Sequence, residues 1–168
     1  FCLVGSEMCI RDRFITILFF ILMFFGASAG STSGGIKIVR HVVLLKNSYI
    51  ELKKQLHQQG VFILRFNNSK VPQSVVTNIL AFMMLYVVIF SIGSVIMTLM
   101  GVDFITAIGS VAATLGNIGP GIGDVGPASN FSSIPDAGKY FLSLLMLIGR
   151  LELLTFLLIL TPAFWEFN

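Results

Sequence analysis

Charged side chains are scarce in this sequence. Of its 168 residues, 11% are charged and 55% are hydrophobic, whereas an ordinary soluble domain carries about 25% charged residues. This balance excludes a typical soluble domain and indicates an integral membrane protein. The net charge of +3 is small, so the distribution of charge along the chain matters more than its size.

Cysteines and catalytic groupings are scarce as well. Cys2 and Cys9 both lie in the first nine residues and offer neither metal-ligand spacing nor a disulfide framework. The segment "FCLVGSEMCIRDR", residues 1–13, lacks the apolar core and cleavage site of a signal peptide, and we expect it to be a non-native or junction segment. The sequence contains no nucleophile paired with a base, no phosphate-binding loop and no metal-ligand cluster. It therefore predicts neither an enzyme nor a bound cofactor.

Uncharged and basic segments alternate along the chain. Residues 71–102 carry no charge and are long enough to cross a bilayer, and residues 139–162 predict a second span. Residues 37–70 hold seven basic side chains against one acid, Glu51. The basic residues are Lys37, Arg40, Lys46, Lys53, Lys54, Arg65 and Lys70. By the positive-inside rule this segment is cytoplasmic, and residues 47–70 are predicted to form a basic linker.

Two short apolar runs each end in glycine-rich sequence. "FITILFFILMFF" (residues 14–25) precedes "GASAGSTSGGIK" (residues 26–37), the first glycine-rich stretch. "FITAIGSVAATLG" (residues 104–116) precedes "NIGPGIGDVGP" (residues 117–127), the second. Both runs are too short to span a bilayer, and Asp103 is placed to cap the second one. The shared plan is a short helix, a glycine-rich stretch and a descending helix.

This plan is typical of a cation filter. Irregular backbone at membrane depth is tolerated only where protein buries it or where it lines a water-filled cavity. Backbone carbonyls facing a pore can replace the hydration shell of an ion, and glycine permits unusual φ and ψ angles with no Cβ in the lumen. A flexible linker would not explain the preceding short helices. A helix-packing motif conflicts with "GPG" at residues 119–121, which cannot sustain a helix.

Specific motifs resemble a known family. "GASAGSTSGGIK" and "GNIGPGIGDVGP", followed by "MLIGRLELLT", resemble the third and fourth pore repeats of Trk-type potassium uptake proteins, in the Trk/Ktr/HKT cation transporter superfamily. The resemblance implies an all-α membrane protein whose repeats each contain a helix, a pore helix, a filter loop and a second helix. It assigns the third repeat to residues 14–46 and the fourth to residues 71–168. Since the first two repeats and the first helix of the third lie outside this plan, we expect a piece of a transporter.

The resemblance also implies which residues form the filter and the gate. The third filter segment comprises Ala27, Ser28, Ala29, Gly30 and Ser31. The fourth comprises Asn117, Ile118, Gly119, Pro120 and Gly121. Gly34 and Gly35 lead into a gating loop below the filter, where Arg150 is expected to bind loop carbonyls and act as an electrostatic barrier. A structural role that ties two helices together stays open for Arg150 and is favoured for Glu152.

We therefore expect a potassium uptake subunit of the bacterial inner membrane, with a cytoplasmic C-terminus. K⁺ is the expected transported ion, and no nucleic-acid partner is expected. The resemblance implies a homodimer at full length and a cytosolic nucleotide-binding regulatory subunit, for which residues 46–70 offer a basic contact face. A cation-coupled secondary transporter with broken helices stays open, although no carboxylate lies within residues 27–35 or 116–123. A non-transporting membrane scaffold is the third alternative.

Overall fold

Five helices and one two-stranded hairpin form the described structure. The computed structural model describes residues 13–28, 31, 34–57, 64–66, 69–127 and 129–151. In chain order the elements are α1 (Arg13–Leu22), α2 (Ile38–Leu56), β1 (Arg65–Phe66), β2 (Ser69–Lys70), α3 (Gln73–Leu99), α4 (Phe104–Gly116) and α5 (Asp136–Arg150). Short 3-10 turns lie at Gly123–Val125 and Phe131–Ser133.

Helix α3 is the long apolar element that the uncharged sequence predicts. Its 27 residues extend over roughly 40 Å at the α-helical rise, which exceeds the hydrocarbon thickness of a bilayer. It starts directly after Pro72, and Gly101 follows its end with a φ of 85°. Among the described helices, α3 is the one whose length and composition suit a membrane crossing.

Helix α4 is short and lies at the centre of the described structure, packed against α3 and α5. Asp103 accepts a hydrogen bond from the Ile105 backbone N–H at 3.2 Å, so the predicted helix cap is confirmed. Ten of the 13 residues of the helix are buried, and the exposed Phe104 and Ile105 lie in its first turn. A helix that is buried nearly all round must be supported by tertiary packing rather than by an amphipathic face.

Helix α5 starts three residues before the predicted second span. Asp136 is its first residue, and the carboxylate pairs with Lys139 at 3.0 Å. The described part of the helix ends at Arg150. The rest of the predicted span, including Glu152, lies outside the described residues.

Helix α2 is continuous from Ile38 to Leu56 and packs against α3. It therefore crosses residue 46, where the sequence predicts that the third repeat gives way to the basic linker. The hairpin of β1 and β2 follows, with Arg65 opposite Lys70. Because Lys46 lies 5.4 Å from the centre of the Phe66 ring, the hairpin stays close to α2.

An aromatic cluster joins the end of α1 to α2 and α3. The Phe24 ring lies 5.4 Å from the Phe90 ring and 6.3 Å from the Tyr86 ring, both edge to face. The Arg40 guanidinium of α2 lies 3.9 Å from the centre of the Phe82 ring. Edge-to-face pairs and cation–π contacts each add about 1 kcal/mol to the packing. The cluster therefore fixes where the first glycine-rich stretch begins.

Candidate functional site: two glycine-rich stretches at adjacent helix ends

The first glycine-rich stretch is a closed loop. The Gly26 N–H donates to the Ile36 carbonyl at 2.8 Å, and the Ile38 N–H donates to the Ala27 carbonyl at 3.2 Å. A Cβ on Gly26 would lie 2.7 Å from the Ile36 oxygen, so the close return of the chain requires glycine there. The loop begins and ends beside the C-terminal end of α1.

The described residues of the predicted third filter segment lie within this loop. Ala27, Ser28 and Ser31 belong to the described residues, and the Ser31 N–H donates to the Ser28 carbonyl at 3.1 Å. Ala29 and Gly30 lie outside the described residues. This bond links two described positions of the predicted segment.

The second glycine-rich stretch begins as the termination of α4. The Asn117 N–H donates to the Thr114 carbonyl at 3.1 Å, and the Ile118 N–H donates to the Ala113 carbonyl at 3.0 Å. Asn117 itself has left-handed angles, φ 52° and ψ 44°. These two bonds and this conformation are those of a Schellman motif. The first two residues of the predicted fourth filter segment are thus held by the helix end.

Gly119 follows with a φ of 112°, and a Cβ added to it would meet no atom of the described residues within 4 Å. The positive φ therefore explains why this residue is glycine, because residues with a side chain rarely adopt such angles. Close packing does not explain it.

Past Gly119 the second stretch folds back along α4. The Gly121 N–H donates to the Val125 carbonyl at 2.8 Å, and the Asp124 N–H donates to the Thr106 hydroxyl at 3.2 Å. A Cβ on Gly109 would lie 2.6 Å from the Ile122 oxygen. The returning chain thus lies directly on the helix, from its middle back to its first turn.

The two stretches contact each other. A Cβ on Gly34 would lie 2.7 Å from Asn117 Nδ2, and a Cβ on Gly35 would lie 3.4 Å from the Gly116 Cα. A Cβ on Gly116 would lie 3.3 Å from the carbonyl oxygen of Met23, just after α1. The C-terminal ends of α1 and α4 are therefore neighbours. Because each helix end carries partial negative charge, their shared surroundings favour a cation.

Arg150 lies beside the same junction. A Cβ on its neighbour Gly149 would overlap the Leu115 carbonyl oxygen and would lie 2.9 Å from Asn117 Nδ2. Helix α5 thus meets the end of α4 one residue before Arg150, whose side chain is exposed on the surface of this chain. The structure brings Gly34, Gly35 and the α5 segment that carries Arg150 to one end of α4.

Two residues of this site, Thr106 and Gly109, and the side-chain role of a third, Asn117, were not predicted from the sequence. Thr106 holds the returning chain, Gly109 admits it, and the Asn117 side chain donates to the Met146 carbonyl at 3.1 Å. One signal was available: Thr106, Ser110 and Thr114 recur every four residues along one face of α4, and all three are buried. The Ser110 and Thr114 hydroxyls donate to carbonyls of α4 itself, whereas the Thr106 hydroxyl accepts from the Asp124 N–H, so Thr106 is the member that marks the approach of the returning chain.

Comparisons with known proteins agree on one family. Residues 11–166 match the family TrkH, described as cation transport protein. The chain is 41% identical over 151 residues to the Trk system potassium uptake protein TrkI of Halomonas elongata. The aligned region covers 89% of this chain and 31% of that protein. It is also 38% identical over 153 residues to the Trk system potassium uptake protein TrkH of Escherichia coli K12. That aligned region covers 91% of this chain and 31% of the relative.

A solved structure is similar too. The crystal structure of the potassium transporter TrkH from Vibrio parahaemolyticus matches with a TM-score of 0.84 and 37% identity, over 93% of this chain and 33% of that one. The chain spans about a third of the length of these relatives. This helical chain therefore belongs to the TrkH family of cation transport proteins.

Proposed function

We propose that this chain supplies the third and fourth repeats of a potassium pore and passes K⁺ between two backbone filter segments. The observation that carries the proposal is the contact between the two glycine-rich stretches, at Gly34 and Asn117. Each stretch follows a short helix, and the two helix ends are adjacent. The names of the relatives, potassium uptake proteins, support K⁺ as the ion.

The mechanism is replacement of water by peptide oxygens. Carbonyls of residues 27–31 and 117–121 would supply part of a ring of oxygens around a dehydrated ion. The helix C-terminal ends of α1 and α4 stabilise the positive charge where water has been lost. Gly119 has a φ of 112° and no side chain, so it would keep the lumen clear. The remaining oxygens would come from repeats one and two of the full-length protein.

The gate would lie at the inner end of the same filter. Gly34 and Gly35 contact Asn117 and Gly116, so a shift of this loop is transmitted to the end of α4. Arg150 follows the point where α5 meets that end, and a fixed guanidinium there raises the electrostatic barrier to K⁺. Loop carbonyls that accept hydrogen bonds from Arg150 would hold the closed state.

The distribution of charge supports one orientation of the chain in the membrane. Uncharged α3 would cross the bacterial inner membrane, while the basic residues of α2 and the hairpin would face the cytoplasm. The C-terminus would return to the cytoplasmic side. At full length we expect a homodimer that contacts a cytosolic nucleotide-binding regulatory subunit through residues 46–70.

Rubidium uptake tests the proposal. The full-length protein that contains this chain, reconstituted in proteoliposomes, should take up rubidium down a membrane potential without a Na⁺ or H⁺ gradient. Uptake that requires such a gradient would favour a coupled transporter instead. If proteoliposomes that contain well-folded protein take up no rubidium, a non-transporting membrane scaffold is favoured.

A further inference from the structure

The Asn117 side chain lies where three distant segments meet. Its Nδ2 donates to the Met146 carbonyl of α5 at 3.1 Å. Cβ atoms added to Gly34 and Gly149 would lie 2.7 Å and 2.9 Å from the same Nδ2. One amide thus contacts the first glycine-rich stretch and α5, while its own backbone ends α4.

We propose that Asn117 is a positioning residue, whose side chain clamps the fourth filter segment to the loop of the third repeat and to α5. The inference rests on the proposed function, because it assigns a side-chain role within that filter. In the filter itself Asn117 would offer its backbone carbonyl. By holding the side chain, the clamp restrains the backbone that carries that carbonyl.

The backbone of Asn117 leaves its side chain little freedom. The left-handed angles, φ 52° and ψ 44°, are tolerated by asparagine better than by most residues with a Cβ. The amide then fits between two positions that have no side chain, Gly34 and Gly149. Any larger residue at either glycine would displace the amide, so the three residues form one matched unit.

The hydrogen bond reaches the turn of α5 that carries Arg150. Met146 lies four residues before Arg150, and its carbonyl has a second lone pair for the Asn117 amide besides the one used within the helix. A movement of this turn would pull on Asn117 and hence on the first filter carbonyls. The clamp therefore connects the geometry of the gate to the geometry of the filter.

Asn117→Gly isolates the side chain. Glycine keeps the left-handed backbone but removes the amide and its bond to Met146. In full-length protein in proteoliposomes, we expect the preference for K⁺ over Na⁺ to fall about fivefold, as the loss of one hydrogen bond implies, while K⁺ still passes. An unchanged preference, with wild-type amounts of folded protein, would overturn the clamp.

A double substitution tests the fit directly. Gly34→Ala should place its methyl group against the Asn117 amide, and it should lower both the amount of folded protein and the preference for K⁺. Combined with Asn117→Gly, the same methyl group gains the vacated space, so folded protein should recover above the level of Gly34→Ala alone. Strictly additive losses would overturn the proposal, even where the single variants fold poorly.

Gly149→Ala is the matched control. Its methyl group meets the Leu115 carbonyl as well as Asn117, so Asn117→Gly should not rescue it. Wild-type protein that does not transport would defeat the proposed function. If the wild-type protein prefers K⁺ over Na⁺ and Asn117→Gly has the same preference, the clamp is wrong while the proposed function stands.

Discussion

The Gly26 N–H and the Ile36 carbonyl form a hydrogen bond of 2.8 Å that closes the first glycine-rich stretch at its base. The nine residues of chain between them lead away from the end of α1 and back to it before α2 begins. Short loops with joined ends are held by few bonds, so each bond contributes to the loop shape. This closure brings Gly34 and Gly35 against the end of α4.

Gly26→Ala should break this closure. The new methyl carbon would lie 2.7 Å from the Ile36 oxygen, and overpacking of this kind costs about 1–3 kcal/mol. We expect a lower melting temperature in detergent and weaker rubidium uptake by the full-length protein. Gly126→Ala is the control, because among the described residues its methyl carbon would meet the Gly123 oxygen alone, at 3.2 Å. Equal losses for both variants would contradict the role of the closure.

Gly119→Ala should reduce selectivity through the backbone alone. The φ of 112° costs an L-residue about 1–2 kcal/mol, although the methyl group would have no atom within 4 Å in the part of the chain that the structure describes. Gly101 matches it, with a φ of 85° and equally open space, but lies after α3 and away from the filter. We expect both variants to lose similar thermal stability, and only Gly119→Ala to lose K⁺ over Na⁺ preference in flux assays.

Tyr86→Phe should leave the protein as stable or make it more stable. The Tyr86 hydroxyl is buried and has no hydrogen-bond partner among the described residues. An unsatisfied buried hydroxyl costs about 1–3 kcal/mol, which phenylalanine avoids at nearly the same shape. Thermal unfolding in detergent measures the effect, with the exposed Tyr140→Phe as control. A clear loss of stability would mean that the hydroxyl bonds to a part of the protein outside the described residues.

Arg150→Gln should raise K⁺ flux. Removal of the guanidinium lowers the barrier that a fixed positive charge presents to a cation in a narrow, poorly hydrated path. Lys139→Gln removes the same charge from the other end of α5 and should leave flux unchanged. Reduced flux in Arg150→Gln, accompanied by a lower melting temperature, would support a structural Arg that ties two helices together.

Local features of the fold could be predicted from the sequence, whereas contacts between distant segments could not. Asp103 caps α4 as its type and place imply, and the uncharged run forms α3. The continuation of α2 past Lys46 was missed, because polar residues on the surface of a helix look like a linker in composition. The contact of Asn117 with Gly34 and Met146 joins residues far apart in sequence. No periodic pattern encodes such a contact.

The central claim is that peptide oxygens of the two glycine-rich stretches bind the transported ion. Anomalous diffraction from crystals of the full-length protein soaked in thallium, which replaces K⁺, tests it most directly. We expect an anomalous peak surrounded by backbone carbonyls of residues 27–31 and 117–121. Strong peaks only at side-chain carboxylates elsewhere, with none between the two stretches, would contradict it.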